Sequence, residues 1–171
     1  MTYLTTLKRS IAAGLIAASA LFATPSVAHD TVIGDLKISE AHARPNLPNR
    51  PTAAYLTISN RGDTSDRLLA ARSDSFGTIE LHTVETQDGV MKMMPIDAVE
   101  IPADGTAMLE PGGMHLMLFD ATQRFRAGDS FKATLTFENA GDVIVMFMVR
   151  KPGKKSDHSG HGDHSGHGSG S

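Results

Sequence analysis

The chain has 171 residues, with 16 Lys and Arg against 19 Asp and Glu, and it contains no cysteine. This length is typical of one domain, and a net charge of −3 gives no reason to expect a nucleic acid or an anionic membrane as partner. The lack of cysteine excludes disulfides, thiolate zinc sites, type 1 blue-copper sites, thiol catalysis and lipidation at a cysteine.

Residues 1–28 have the pattern of a secretory signal peptide. Two basic residues precede an apolar stretch at residues 11–23, and a small-x-small motif ends at Ala28. The apolar stretch is shorter than the roughly 20 residues that a membrane-spanning helix needs. We therefore expect cleavage after Ala28, a mature chain that begins at His29, and export to the periplasm without membrane insertion.

The next part of the chain, residues 31–150, predicts an all-β domain. Short segments rich in β-branched and apolar residues alternate with turn signals, and no long 3.6-residue period is present. Strands at this spacing are typical of a Greek-key β-sandwich or barrel. The predicted strands are Val32–Ala41, Ala53–Asn60, Arg67–Ser73, Gly77–Glu85, Val90–Ile96, Thr106–Leu109, Met114–Phe119, Ser130–Thr136 and Asp142–Val149.

The composition changes after Pro152, which divides the sequence into a signal peptide (1–28), a β domain (29–152) and a tail (153–171). The tail repeats DHSGHG and has no apolar residue to bury, so it is predicted to be disordered. Its imidazoles could capture Cu(II), and less selectively Zn(II) or Ni(II), although a purely solubilising tail is the alternative. The histidines of the tail are His158, His161, His164 and His167.

Two strands near the middle of the domain combine histidine with methionine. Side chains alternate with period two along a strand, so His115 and Met117 share a face. A two-residue turn at Asp88-Gly89, the strongest hairpin signal in the chain, would place His82 opposite Pro95. Met93 then lies on the diagonal from His82, within reach of its long side chain.

In that register Met91 and Met93 share the face of His82, whereas Thr83 and Met94 point away. Two imidazoles with one or two thioethers favour Cu(I), because thioether sulfur is soft and uncharged and imidazole accepts copper readily. The alternative is that the methionines fill the core. We assign Met108, Met146 and Met148 to packing, and His42 to a structural role.

The spacing of these four residues is H-x10-M-x21-H-x-M, given by His82, Met93, His115 and Met117. This motif resembles the copper site of the PCuAC family of periplasmic Cu(I) chaperones, and the resemblance extends over residues 30–150. Further similar segments are AAYLTISN from Ala53, ELHTV from Glu80, GVMKMMPID from Gly89 and PGGMHLMLFD from Pro111.

The resemblance implies a cupredoxin-like β-barrel in which His82, Met93, His115 and Met117 bind one Cu(I). It also implies a non-enzymatic role: supply of copper to the CuA domain of cytochrome c oxidase subunit II, often beside a thiol-based metallochaperone. The family commonly has methionine directly after the first histidine, where this chain has Thr83. Residue 83 is expected on the other face, so this departure leaves the predicted site intact.

Two other functions remain open on the sequence. The protein could store copper or zinc for resistance, with the tail as its principal site. It could instead be a copper-dependent oxidoreductase in which the α-amine and imidazole of His29 chelate Cu(II) together. Against the oxidoreductase, a methionine-rich site stabilises one oxidation state of copper and does not favour redox cycling.

Overall fold

The computed structural model describes residues 30–151, and every regular element among them is a strand, which confirms the predicted all-β class. The strands are β1 (Thr31–Ile33), β2 (Leu36–Ala43), β3 (Thr52–Asn60), β4 (Asp66–Arg72), β5 (Phe76–Gln87), β6 (Val90–Pro95), β7 (Val99–Ile101), β8 (Thr106–Leu109), β9 (His115–Ala121), β10 (Ser130–Phe137) and β11 (Asp142–Val149).

The strands form one mixed sheet in the order β6-β5-β9-β3-β2-β11-β10-β4-β7, with β1 added to β2 and β8 added to β3. All pairs are antiparallel except β11 with β2. Strand β4, near one end of this order, also contacts β5 near the other end. The sheet therefore folds over on itself and encloses a single core.

The core is built from the inward positions of alternating strands. Ile38, Ile58, Leu116, Leu135 and Phe147 are all almost completely buried. Each such side chain contributes about 1.5–3 kcal/mol through removal of its apolar surface from water. The packed inner face fixes the strand positions, and the side chains on the outer face are held in place by that scaffold.

One predicted strand is wrong, and one strand was not predicted. The predicted strand Val32–Ala41 is two strands, because Gly34 adopts a positive φ of 55° and turns the chain so that Ile33 pairs with Leu36. Strand β7 (Val99–Ile101) was not predicted. Three residues are too few to display an alternating pattern, and this strand forms only because it pairs with β4.

The assignment of the other methionines to packing is partly wrong. Met148 is buried and Met146 half-buried, as predicted, but Met108 is 51% exposed. Met108 lies opposite Thr57 on the outer face of the sheet, whereas its neighbours Ala107 and Leu109 point into the core.

Some predictions fall on parts of the chain that the structure leaves undescribed. The signal peptide at residues 1–28, His29 and the tail at residues 153–171 lie outside the described residues. Between residues 30 and 151, no helix has the length and apolar character needed to span a membrane.

Candidate metal centre

The candidate centre lies where β5 runs between β6 and β9. His82 on β5 is directly opposite Pro95 on β6, and Gln87 pairs with Val90, which is the register predicted from the Asp88-Gly89 turn. On its other side, His82 is directly opposite His115 of β9. The two histidines are therefore neighbours across one strand pair.

Both methionines of the predicted site share the face of these histidines. Met93 lies opposite Val84 and Met117 lies opposite Glu80. Val84 and Glu80 are each two residues from His82, and residues two apart on a strand point to the same side. The strand registers thus bring the histidines and methionines of the predicted site to one face.

This face forms the wall of an open cavity of about 450 Å³. Met93, His115 and Met117 line the cavity directly, and His82 lies beside it. Met93 is 62% exposed whereas His115 is only 4% exposed. The imidazole of His115 is therefore shielded, whereas the thioether of Met93 can be reached by solvent or by another protein. The other lining residues are Arg44, Pro45, Pro51, Thr52, Ala53, Tyr55, Val84, Met91, Pro111 and Gly112.

The spacing of the two imidazoles fits a shared metal ion. The ring centres of His82 and His115 are 5.8 Å apart. A metal bonded at about 2 Å to one nitrogen of each ring would hold the ring centres roughly 5 to 6 Å apart. The separation of the rings is therefore compatible with one ion bound to both.

The hydrogen bonds of the histidines leave one nitrogen of each ring for a metal. Nδ1 of His115 is 3.0 Å from the carbonyl oxygen of Gly113 and donates to it, so Nε2 is the acceptor nitrogen. Nε2 of His82 is 2.8 Å from Oε2 of Glu80. Nδ1 of His82 is buried and has no hydrogen-bond partner in the described part of the chain. Metal-binding histidines characteristically give their second ring nitrogen to a carboxylate or a backbone carbonyl.

Among residues 30–151 no group of three or more His, Cys, Asp or Glu side chains could hold a metal ion. A metal bound in this cavity would therefore need methionine sulfur in addition to the two imidazoles. Sulfur of this kind binds hard or borderline divalent ions poorly and Cu(I) well. The donor set of the cavity fits copper in its reduced state.

Three side chains at the site were not identified from the sequence. Glu80 could have been found by alternation, since it lies two residues before His82. Tyr55 lies on β3 and Arg44 directly follows β2, both far from His82 along the chain, and neither gave a signal. The Arg44 guanidinium lies 5.5 Å from the centre of the Tyr55 ring, and that ring lies 6.5 Å from the ring of His115. Burial raises the pKa of Tyr55, while the charge of Arg44 lowers it in part.

Thr83, Met91 and His42 differ in their position relative to the cavity. Thr83 pairs with Met94 on the face opposite to the cavity, so the absence of methionine at position 83 removes no side chain from the site. Met91 lines the cavity near its edge. His42 is outside it: Nδ1 of His42 bonds the carbonyl oxygen of Glu40 at 2.7 Å, in keeping with a structural role.

Similar domains are known among solved structures. A copper-bound PCuAC domain from PmoF2 matches with a TM-score of 0.63 and 27% identity, over 72% of this chain and 99% of that domain. The solution structure of Cu(I)-DR1885 from Deinococcus radiodurans matches with a TM-score of 0.53 and 27% identity, over 71% of this chain and 80% of that protein. These matches confirm the resemblance to PCuAC domains and the cupredoxin-like β fold that it implied.

Sequence relatives cover less of the molecule. The uncharacterized protein RP573 of Rickettsia prowazekii (strain Madrid E) is 34% identical over 95 residues, which are 55% of this chain and 52% of that protein. The aligned part of the chain thus spans about half the length of this relative. A family model described as "Putative lipoprotein LpqE-like" matches residues 36–149, from the start of β2 to the end of β11. The chain belongs to the LpqE-like family.

Proposed function

We propose that this protein is an exported copper chaperone that binds one Cu(I) ion through His82, Met93, His115 and Met117. The proposal rests on one observation: two imidazoles and two thioethers from three strands share one face beside an open cavity. Thioether sulfur selects Cu(I), and imidazole completes the coordination without any thiol that an oxidising compartment would consume.

The exposure of the site supports transfer of the ion in preference to permanent storage. Met93 lies on the β5–β6 hairpin and is 62% exposed. An incoming ligand from another protein can approach copper from this side while the shielded His115 still holds it. Release then proceeds by exchange of one ligand at a time, and copper remains Cu(I) throughout.

The comparisons support the same function. The similar solved domains are described as copper-bound and as Cu(I)-bound, and the family is described as a lipoprotein family, a class of exported proteins. We infer that the chain acts in the periplasm after cleavage at Ala28. Its acceptor is the apo CuA domain of cytochrome c oxidase subunit II, and a thiol-based metallochaperone acts beside it.

A Cu(I) competition titration against a chromogenic chelator tests the binding site. The protein should hold one tight equivalent, and a Met93→Ala, Met117→Ala double variant should bind it at least about 100-fold more weakly, since loss of an outer hydrogen-bond partner alone costs 10–100-fold. Met108→Ala is the matched control, because Met108 is an exposed methionine on the same sheet outside the cavity. Equal affinity of the double variant and the wild type would refute the assignment.

Transfer to the acceptor is a separate measurement. The loaded protein is mixed with an apo CuA domain, the two are separated, and copper is quantified in each. The proposal predicts that copper moves to the CuA domain faster than it is lost to buffer. Copper that stays on the protein in the presence of excess acceptor would favour storage.

The tail provides the test that separates the chaperone from a storage protein. We infer that His158, His161, His164 and His167 capture Cu(II). A variant that lacks residues 154–171 should then lose the Cu(II) that the full-length protein captures and keep the tight Cu(I) equivalent. Loss of most metal capacity, including the Cu(I) equivalent, would instead support storage by the tail.

A further inference from the structure

Three arginines flank the candidate copper cavity. Arg44 lines the cavity itself, and Arg50 and Arg124 line a neighbouring cavity of about 230 Å³. Pro51 lines both cavities, so the two are adjacent. All three arginines are exposed. We call them the arginine rim.

No arginine of the rim forms an ion pair within the described part of the chain. The ion pairs among residues 30–151 use Lys37, Arg67, Arg72 and His82 as their cations, and none uses a residue of the rim. Asp120, beside Arg50 and Arg124, is the acidic residue among those that line these two cavities, and Glu80 is bonded to His82. Glu40 and Glu110 line a third cavity, which shares Tyr55 and Pro111 with the copper cavity. The lining of the two cavities thus carries three arginines against one carboxylate, on a chain whose net charge is −3.

The opposite edge of the copper cavity is apolar. Met91 and Met93 project from the β5–β6 hairpin and are 66% and 62% exposed. Arginine and methionine are both enriched in protein–protein interfaces, where an apolar centre is surrounded by a polar edge. A face with two exposed thioethers and three guanidiniums that form no ion pair therefore has the composition of a docking surface.

We propose that the arginine rim docks an acidic face of the copper-accepting protein and so brings the acceptor's ligands to Met93 and Met117. The inference rests on the proposed function. Unpaired surface charges steer association and select partners of opposite charge. In the docked complex the bond from copper to a methionine sulfur breaks as a bond to an acceptor ligand forms. No electron is transferred, and copper stays Cu(I).

The test uses two synthetic Cu(I)-binding peptides with the same His/Met core, one flanked by glutamates and one by lysines. Transfer from the loaded protein should be at least about tenfold faster to the glutamate peptide at low ionic strength, within the range known for electrostatic steering. High salt should close most of that gap. Equal rates to the two peptides would overturn the proposal.

The rim itself is tested with Arg50→Gln, Arg124→Gln, which leaves every residue of the copper cavity unchanged. The matched control is Arg61→Gln, Lys132→Gln, which removes two positive charges outside both cavities. The rim variant should keep its Cu(I) affinity and lose most of its preference for the glutamate peptide, whereas the control should keep both. A rim variant that behaves like the control would refute the assignment of the rim.

A copper-free measurement separates this inference from the proposed function. The glutamate peptide, without metal, should shift the backbone amide resonances of Arg50 and Arg124 in the apo protein, and the lysine peptide should not. If these shifts occur but the competition titration detects no Cu(I) binding, the docking surface is supported and the chaperone function is refuted. If Cu(I) binds but no shifts occur, the docking surface is wrong.

Discussion

At the scale of single residues, Glu80 determines how His82 can bind a metal. Its carboxylate accepts a hydrogen bond from Nε2 of His82 and fixes the imidazole so that Nδ1 is left as the free acceptor. A buried polar atom without a partner costs free energy, about 1–3 kcal/mol. Copper bound at Nδ1 of His82 and Nε2 of His115 would satisfy both rings.

Replacement of Glu80 should therefore weaken Cu(I) binding. Glu80→Ala removes the bond that orients His82 and should lower the affinity about 10- to 100-fold, the usual cost of losing such a partner. Glu80→Gln keeps an acceptor oxygen, so its Cu(I) affinity should lie between those of the wild type and Glu80→Ala. Glu85→Ala, an exposed carboxylate on the other face of the same strand, is the control. A rise in affinity for Glu80→Ala, measured by chelator competition, would mean that Glu80 blocks the metal.

The strand registers of the candidate site residues were largely predictable, and their surroundings were not. Period-two alternation and the Asp88-Gly89 turn were enough to place Met93 on the face of His82 and Thr83 on the other. The same alternation did not reveal that Met108 faces outward, because that depends on which face of β8 the rest of the sheet covers. Glu80 had the right spacing, but a carboxylate two residues from a histidine is common on exposed strands.

At the scale of elements, the β5–β6 hairpin fixes the distance between Met93 and the histidines. Asp88 and Gly89 both have positive φ, 53° and 77°, as a type I′ turn requires. Gly89→Val would put a β-branched residue in a strained conformation, at a cost of about 1–3 kcal/mol. The variant should have a lower melting temperature and weaker Cu(I) binding.

Gly89→Asn is the matched control, since asparagine tolerates the left-handed conformation. Thermal unfolding of the copper-free proteins should rank the asparagine variant close to the wild type and the valine variant well below both. If the two variants melt together, the turn conformation does not control the hairpin.

Local pairing of this kind can be predicted from a turn, but the pairing of β5 with β9 cannot. Three strands separate β5 from β9 along the chain, yet in the sheet β9 lies between β5 and β3, which places His115 opposite His82. That arrangement depends on burial of Leu81 and Leu116 in the common core, a non-local effect. The resemblance of the spaced motif to a known family indicated that His82 and His115 share a site, which local patterns could not establish.

At the scale of the whole molecule, the proposed copper site occupies one side of the sheet, and the charged pairs that hold distant strands lie elsewhere. Arg72 of β4 hydrogen-bonds Asp142 of β11 at 2.7 Å, across the intervening strand β10. This bond, together with one from Thr136, lowers the pKa of the Asp142 carboxyl below 3.8. The ionised form therefore favours the folded state.

The pH dependence follows from that direction. Because the folded pKa of Asp142 is depressed, its contribution to stability is complete above the unfolded pKa and is lost as the pH falls through the folded pKa. The stability difference between the wild type and Asp142→Asn should be constant near neutral pH and should shrink below pH 3.8. Denaturant unfolding of both proteins at several pH values measures this difference in the free energy of unfolding. A difference that grows on acidification would contradict the assignment.

The central claim, that two imidazoles and two thioethers hold Cu(I), is tested most directly by X-ray absorption of the Cu(I)-loaded protein. The spectrum should show both nitrogen and sulfur neighbours of copper. In a Met93→Leu, Met117→Leu variant, which keeps the size and apolar character of both side chains, the sulfur contribution should disappear. A wild-type spectrum with nitrogen and oxygen neighbours alone, or one unchanged in the variant, would contradict the account.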